Sequence, residues 1–149
     1  MKYFTPKTVV SWINFWPPFI ASGIKVDHVS EDFLNITVSL RKRTYNTNYM
    51  GVHWGGGIYS MCDPFYAFIL MHHLGREYII WDQNAEIKFL KPGKGRIQAI
   101  FSINQDTINS IKLTCESKKS HTAYFDTFLK NEQNESIAWV KKGVYVKKK

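Results

Sequence analysis

The chain has 149 residues, of which 44% are hydrophobic, 21% charged and 15% aromatic. That length predicts one domain, residues 1–149, with enough chain to bury a sizeable core, and the composition argues against wholesale disorder. Twenty Lys and Arg against twelve Asp and Glu give a net charge of +8, which favours an anionic partner: nucleic acid, a phosphorylated metabolite or cofactor, or a membrane surface.

The most apolar stretch, residues 58–74, is interrupted by Asp63-Pro64 and His72-His73, so no membrane span is expected. The N-terminal segment is a poor signal peptide, because Lys7, Asn14 and Pro17-Pro18 cut its apolar run. Two cysteines, Cys62 and Cys115, imply no disulfide framework, and a cytoplasmic location is the simplest expectation.

In chain order, Val9, Val10, Ile13 and Trp16 fall at helical spacing after Pro6, which suits a first helical turn. Pro17-Pro18 ends that pattern, and Gly23 closes a second short turn over residues 19–22. Leu34, Ile36, Val38 and Leu40 alternate with polar residues and predict a half-buried strand, with residues 24–30 as its neighbour. Residues 44–57 read as a loop. Residues 58–74 predict one helix, apolar on nearly every face and closed by Gly75. In residues 77–90, Ile79, Trp81, Ala85, Ile87 and Phe89 share a parity and predict a strand; a turn at Pro92-Gly93 and Gly95 follows. Residues 96–104 alternate again, residues 106–113 fit a short helix or another strand, and residues 121–130 and 136–147 are the last two strands. One buried helix among antiparallel strands predicts an α+β fold, with the sheet wrapped around the helix and an extra helix at the N-terminus.

The chemistry concentrates between Asn48 and Pro64. A polar loop feeds Gly55, Gly56 and Gly57 into a helix start, where free amides and the positive dipole end can hold an oxyanion. Asp63 is the one carboxylate in the apolar segment that follows; a buried acid near an anion site suits a general base for hydrolysis. This stretch resembles the hotdog-fold acyl-CoA thioesterases, in their phenylacetate-pathway-type branch. Asn48 matches that family's asparagine, Gly55-Gly56 its glycine pair, and Asp63 its acid. Trp81-Asp82 and Lys91-Pro92-Gly93 resemble its less characterised members. The family's histidine position holds Trp54 here, with His53 one residue early.

The resemblance implies a hotdog fold, a homodimer or dimer of dimers, and hydrolysis of an acyl-CoA or acyl-carrier thioester at the dimer interface. It casts Asp63 as base or nucleophile, Asn48 as orienting water or substrate, the amides at Gly56 and Gly57 as polarising the carbonyl, and His53 as a weaker candidate. Gly55 and Trp54 complete the expected substrate-binding set. The alternative is a non-catalytic acyl-CoA or lipid binder, so enzyme or binder stays open.

Plainer roles stand beside these. Asp63 can serve the helix dipole, His53 can be a loop residue satisfied by backbone, and the glycines can allow close packing. Adjacent His72 and His73 point about 100° apart and no ligand spacing recurs, so no metal and no cofactor are expected. Cys62 reads as a core thiol, and Lys118-Lys119, Lys141-Lys142 and Lys147 to Lys149 as solvated charge or as phosphate-steering groups. Zinc spacing, helix-turn-helix and RNP-type signatures are lacking, which argues against nucleic acid.

Overall fold

The computed structural model describes residues 5–149. α1 (Pro6–Trp12) is capped by the Thr5 side chain, passes through a 3-10 turn (Ile13–Phe15), and is followed by α2 (Pro17–Ser22). Pro17 and Pro18 thus open a second helix as well as ending the first; a proline costs nothing in a first turn, where its missing N–H has no intrahelical partner. The Asn14 carboxamide bonds both the N–H (2.7 Å) and the C=O (3.0 Å) of Val26, tying this N-terminal segment to the first strand.

Six strands form one antiparallel sheet: β1 (Ile24–Val29), β2 (Asn35–Arg41), β3 (Tyr78–Phe89), β4 (Arg96–Ser102), β5 (Ser120–Asn131) and β6 (Ser136–Lys148), in the order β1-β2-β4-β5-β6-β3. β4 and β5 meet only at Ile97–Asn131 and Gln98–Lys130. Beyond those pairs, side chains take up backbone oxygens: Thr127 Oγ1 donates to Ile100 O (3.0 Å) and Tyr66 Oη to Asp126 O (2.9 Å).

The central segment differs from one continuous helix over 58–74. Helix begins at Gly55, giving α3 (Gly55–Ser60), breaks over residues 61–64, and resumes as α4 (Phe65–Leu74). Pro64 supplies the reason, since it has no N–H to continue the ladder. α4 is apolar on most faces because it is covered on most: Phe65, Tyr66, Ile69 and Leu70 are buried, while Phe68, Met71, His72 and His73 are partly exposed. Phe65 stacks on Phe101 of β4 at 5.1 Å, and Tyr66 on Phe125 of β5 at 4.8 Å. This is the α+β hotdog arrangement, a sheet around a central helix, with the extra helices at the N-terminus.

Two further elements refine the sequence expectation. Residues 106–113, open between helix and strand, lie in α5 (Gln105–Lys118), capped by Asn104 and burying Ile108, Ile111 and Cys115. β3 does not keep one parity. A bulge between Asp82 and Asn84 shifts its register against β6, so Ile80 and Asp82 face inward before it and Ile87 after it. Trp81, read as sharing a face with Ile87, is instead exposed on the outer face, stacked on Tyr145 at 5.1 Å.

Candidate functional site

The loop before α3 is fixed by its own side chains. Asn46 is buried and bonds Ser22 O, Arg41 O and the Arg43 N–H. Asn48 Oδ1 accepts from the Met50 and Val52 amides (3.0 and 3.3 Å), so its oxygen shapes its own turn. His53 is buried; its Nε2 bonds Gly95 O at 2.8 Å, and its amide bonds Gly93 O at 2.9 Å. Burial outweighs the Gly95 hydrogen bond and lowers the His53 pKa. The ring therefore pins the loop to the turn between β3 and β4.

Trp54 precedes α3, and its C=O accepts the first helical bonds, from Gly57 N (3.0 Å) and Ile58 N (3.2 Å). The amides of Gly55 and Gly56 come before those bonds. The indole folds back over Gly56 and Gly57, in the space that a side chain at either position would need. Glycine here thus accommodates the tryptophan. Beside this start lies a cavity of about 590 Å³ whose lining includes Met50, Val52, Ile58, Phe89 and Leu90, with Lys91 and Lys94 among its polar residues.

Asp63 sits in the turn between α3 and α4, not within a helix, and its side chain is 51% exposed. What it meets is a buried lysine. Lys142 Nζ donates to Asp63 Oδ1 at 3.0 Å, lies 3.4 Å from Asp82 Oδ1 and donates to Tyr59 Oη at 3.4 Å; its side chain is 2% exposed. In β6, Ala138, Val140, Lys142, Val144 and Val146 form the inward row, with Lys142 opposite Phe125 of β5 and Ala85 of β3. The β3 bulge follows Asp82 directly, and Gly143 leaves room for the Asn84 side chain and the Tyr124 ring.

The charges are mutually dependent. Burial works to raise the Asp63 pKa, but the hydrogen bond with Asp82 and the Lys142 cation outweigh it, so Asp63 stays below the usual carboxylate range. Burial pushes Asp82 up to about 6, reinforced by Asp63 and opposed by Lys142. Burial alone would lower Lys142; the two carboxylates raise it above an ordinary lysine. The result is an ionised, half-exposed carboxylate beside a buried cation and a second carboxylate that keeps its proton only up to about pH 6. Such a group can accept a proton from a water molecule at the surface.

α3 separates the sequence-derived candidates. At ~1.5 Å per residue it is roughly 9 Å long; Asn48, His53, Trp54 and the glycines cluster at its start, and Asp63 follows its end. Lys142 and Asp82 are not among the candidate residues that the sequence offers: Asp82 enters there only through the Trp81-Asp82 pair, and Lys142 only as solvated or phosphate-steering charge, although a lysine replacing one member of an alternating apolar row is a visible signal. Cys62 is buried, with its thiol pushed up to about 12 by burial, in keeping with a core residue. Among the described residues, no helix is long and apolar enough to cross a membrane.

Comparison with known proteins agrees with this architecture. A Pseudomonas aeruginosa protein, PA5026, described as of unknown function and a probable thioesterase, superposes with a TM-score of 0.85 at 12% identity, over 98% of this chain and 97% of that one. A protein of unknown function from Chlorobaculum tepidum, OLEI01261, gives 0.76 at 14% identity, over 97% and 98%. The thioesterase HI1161 from Haemophilus influenzae gives 0.68 at 13% identity, over 99% and 93%. No curated protein matches the chain. At these identities the likeness is one of fold. The model of the family described as a domain of unknown function (DUF4442) matches residues 7–146, and the chain belongs to that family.

Proposed function

We propose that the chain is a thioester hydrolase acting on an acyl-CoA or acyl-carrier thioester, with Asp63 as its general base. The observation that carries this reading is the Asp63 carboxylate, held ionised by Lys142 and Asp82 yet half exposed. Asp63 takes a proton from water as the oxygen attacks the thioester carbonyl. The protonated acid then returns it to the departing thiolate sulfur. Of the expected pair of amides, that of Gly57 is spent on Trp54 O, so the Gly56 amide, with that of Gly55, would polarise the carbonyl, and Asn48 would hold the loop that carries them. The apolar cavity beside α3 suits an acyl or pantetheine arm, and Lys91 and Lys94 suit an anionic carrier.

α3 stands between the acid and these amides, which favours a site completed across a homodimer, alone or as a dimer of dimers. The outer edge of β3 supports that assembly, since a twelve-residue edge strand bearing exposed Trp81 and Phe89 invites pairing.

Two observations favour a non-catalytic acyl-CoA or lipid binder as the second reading: Trp54 covers the helix start and His53 is committed to Gly95. Hydrolysis assays over short, long and aromatic acyl-CoAs separate the two. The enzyme reading expects turnover that falls about 10²–10⁴-fold in Asp63→Asn with binding retained. Equal turnover in a folded Asp63→Asn variant refutes the assignment of the base. Saturable binding without turnover identifies the binder.

A further inference from the structure

We propose that α1, α2 and the basic loop after β2 form a docking face for an anionic lipid bilayer. Trp12, Phe15, Trp16 and Ile20 are exposed at 68%, 69%, 50% and 53%, while Val10, Ile13 and Phe19 anchor the same segment in the core. Full coverage of an aromatic side chain removes about 150–250 Å². Four side chains at these exposures therefore offer roughly 400 Å², as large as the largest apolar patch of a typical monomer.

The charge around this patch is mainly positive: Asp27, paired with Arg96, and Glu31 line the groove beside α1 with Lys7, and Glu132 shares the surface of the basic loop, but basic residues outnumber them. Residues 5–26 contain Lys7 and Lys25 and no acid, and residues 33–62 contain Arg41, Lys42 and Arg43 and no acid. Those three basic residues are exposed and are joined to the end of α2. The Arg41 amide donates to Gly23 O at 2.9 Å, and Asn46 Nδ2 bridges Ser22 O (2.7 Å) and Arg41 O (2.8 Å). The Arg43 amide donates to Asn46 Oδ1 at 2.7 Å. A rigid clamp thus sets the basic loop beside the aromatic segment.

Tryptophan and phenylalanine beside arginine and lysine suit the boundary between headgroups and acyl chains. The rings enter the boundary while the cations meet lipid phosphates. A second copy is a poorer occupant, because a two-fold contact through this face would bring the same positive loop against itself. The inference is independent of the proposed reaction, since it uses none of the residues assigned to it.

The test is co-sedimentation of the full chain with vesicles of phosphatidylcholine alone, and with vesicles a quarter of whose lipid is phosphatidylglycerol. Binding should require phosphatidylglycerol and weaken as salt rises. Arg41→Gln/Lys42→Gln/Arg43→Gln and Trp12→Ser/Trp16→Ser should each weaken it about tenfold or more, with thermal unfolding confirming that both variants are folded. No binding by the wild-type chain at low salt overturns the proposal. So does equal binding to both vesicle types, or binding that survives in both variants. An oligomer that dissociates on Trp12→Ser/Trp16→Ser, without vesicle binding by the wild type, gives the face to self-association and also overturns it.

Discussion

Replacing Lys142 by methionine keeps an unbranched apolar stem and deletes only the buried cation. At 3.0 Å, its attraction for Asp63 is worth ~5.5 kcal/mol at an effective dielectric constant of about 20, and ~1.4 kcal/mol in water. Asp63 is half exposed, so the contact lies between these limits, while Asp82, at 3.4 Å and 21% exposed, lies nearer the first. Removing one partner of a buried pair costs about 3–5 kcal/mol, and the open side of Asp63 lowers the expectation here to about 2–4 kcal/mol. Near neutral pH that is about 5–12 °C in Tm for a chain of this size. Both carboxylates lose a stabilising charge, so their pKa values rise in the variant. The deficit against wild type is therefore largest where both acids are ionised and shrinks as acidification protonates them. On the alkaline side, the Lys142 pKa is raised, so the wild-type advantage is intact below the unfolded-state value of 10.5 and disappears only above it. Urea denaturation of both proteins at several pH values measures this. A variant within about 0.5 kcal/mol of wild type at pH 7, with an unchanged pH dependence, would refute the account of Lys142 as the cation that holds the two acids.

Asp82→Asn should flatten one part of the stability–pH curve. The folded pKa, about 6, lies above the ordinary aspartate value of 3.8, so ionising Asp82 lowers stability as pH rises across that window, and the variant should lack this loss when denatured at points across it. His53→Ala removes a buried ring and its bond to Gly95 O, and should cost about 1–3 kcal/mol of stability by chemical denaturation. Gly143→Ala would place a methyl group 2.9 Å from a Tyr124 ring carbon and against Asn84; a loss of about 1–3 kcal/mol in thermal unfolding is expected.

The strands were legible because burial on one face imposes a period of two. β2, β4, β5 and β6 all carry it, and the α+β order followed. The break between α3 and α4 was harder to read. The residues on both sides are apolar and periodicity alone runs through Pro64, although the missing amide marks the place. β3 misled for a related reason: its bulge changes which parity faces inward, and no composition signal marks a bulge at Gln83, between Asp82 and Asn84. The candidate site was half legible. Asp63 stood out as a lone acid in an apolar stretch, but its partners come from β3 and β6, with Lys142 seventy-nine positions away. Only the register of the sheet brings those strands under the α3–α4 turn. The rotation of the Trp54 indole back onto Gly56 and Gly57 is likewise a tertiary fact, invisible to spacing.

The two register pairs between β4 and β5 divide the sheet into a β1-β2-β4 leaf and a β5-β6-β3 leaf. α4 spans the division, with Phe65 against Phe101 on one leaf and Tyr66 against Phe125 on the other. Cooperative unfolding units follow lines of weak backbone coupling, so the two leaves should respond to denaturant as partners latched by a helix rather than as one plate. Amide exchange should be faster along the parted stretch, at Ile100 and Asp126, than at Val140 in the fully paired centre of β6. Because Asp63 lies in the turn just before α4, with Pro64 between, and Lys142 belongs to the second leaf, their ion pair also ties the latch to its frame. A charge contact at the surface of the turn thereby helps decide how far the interior of the sheet can open.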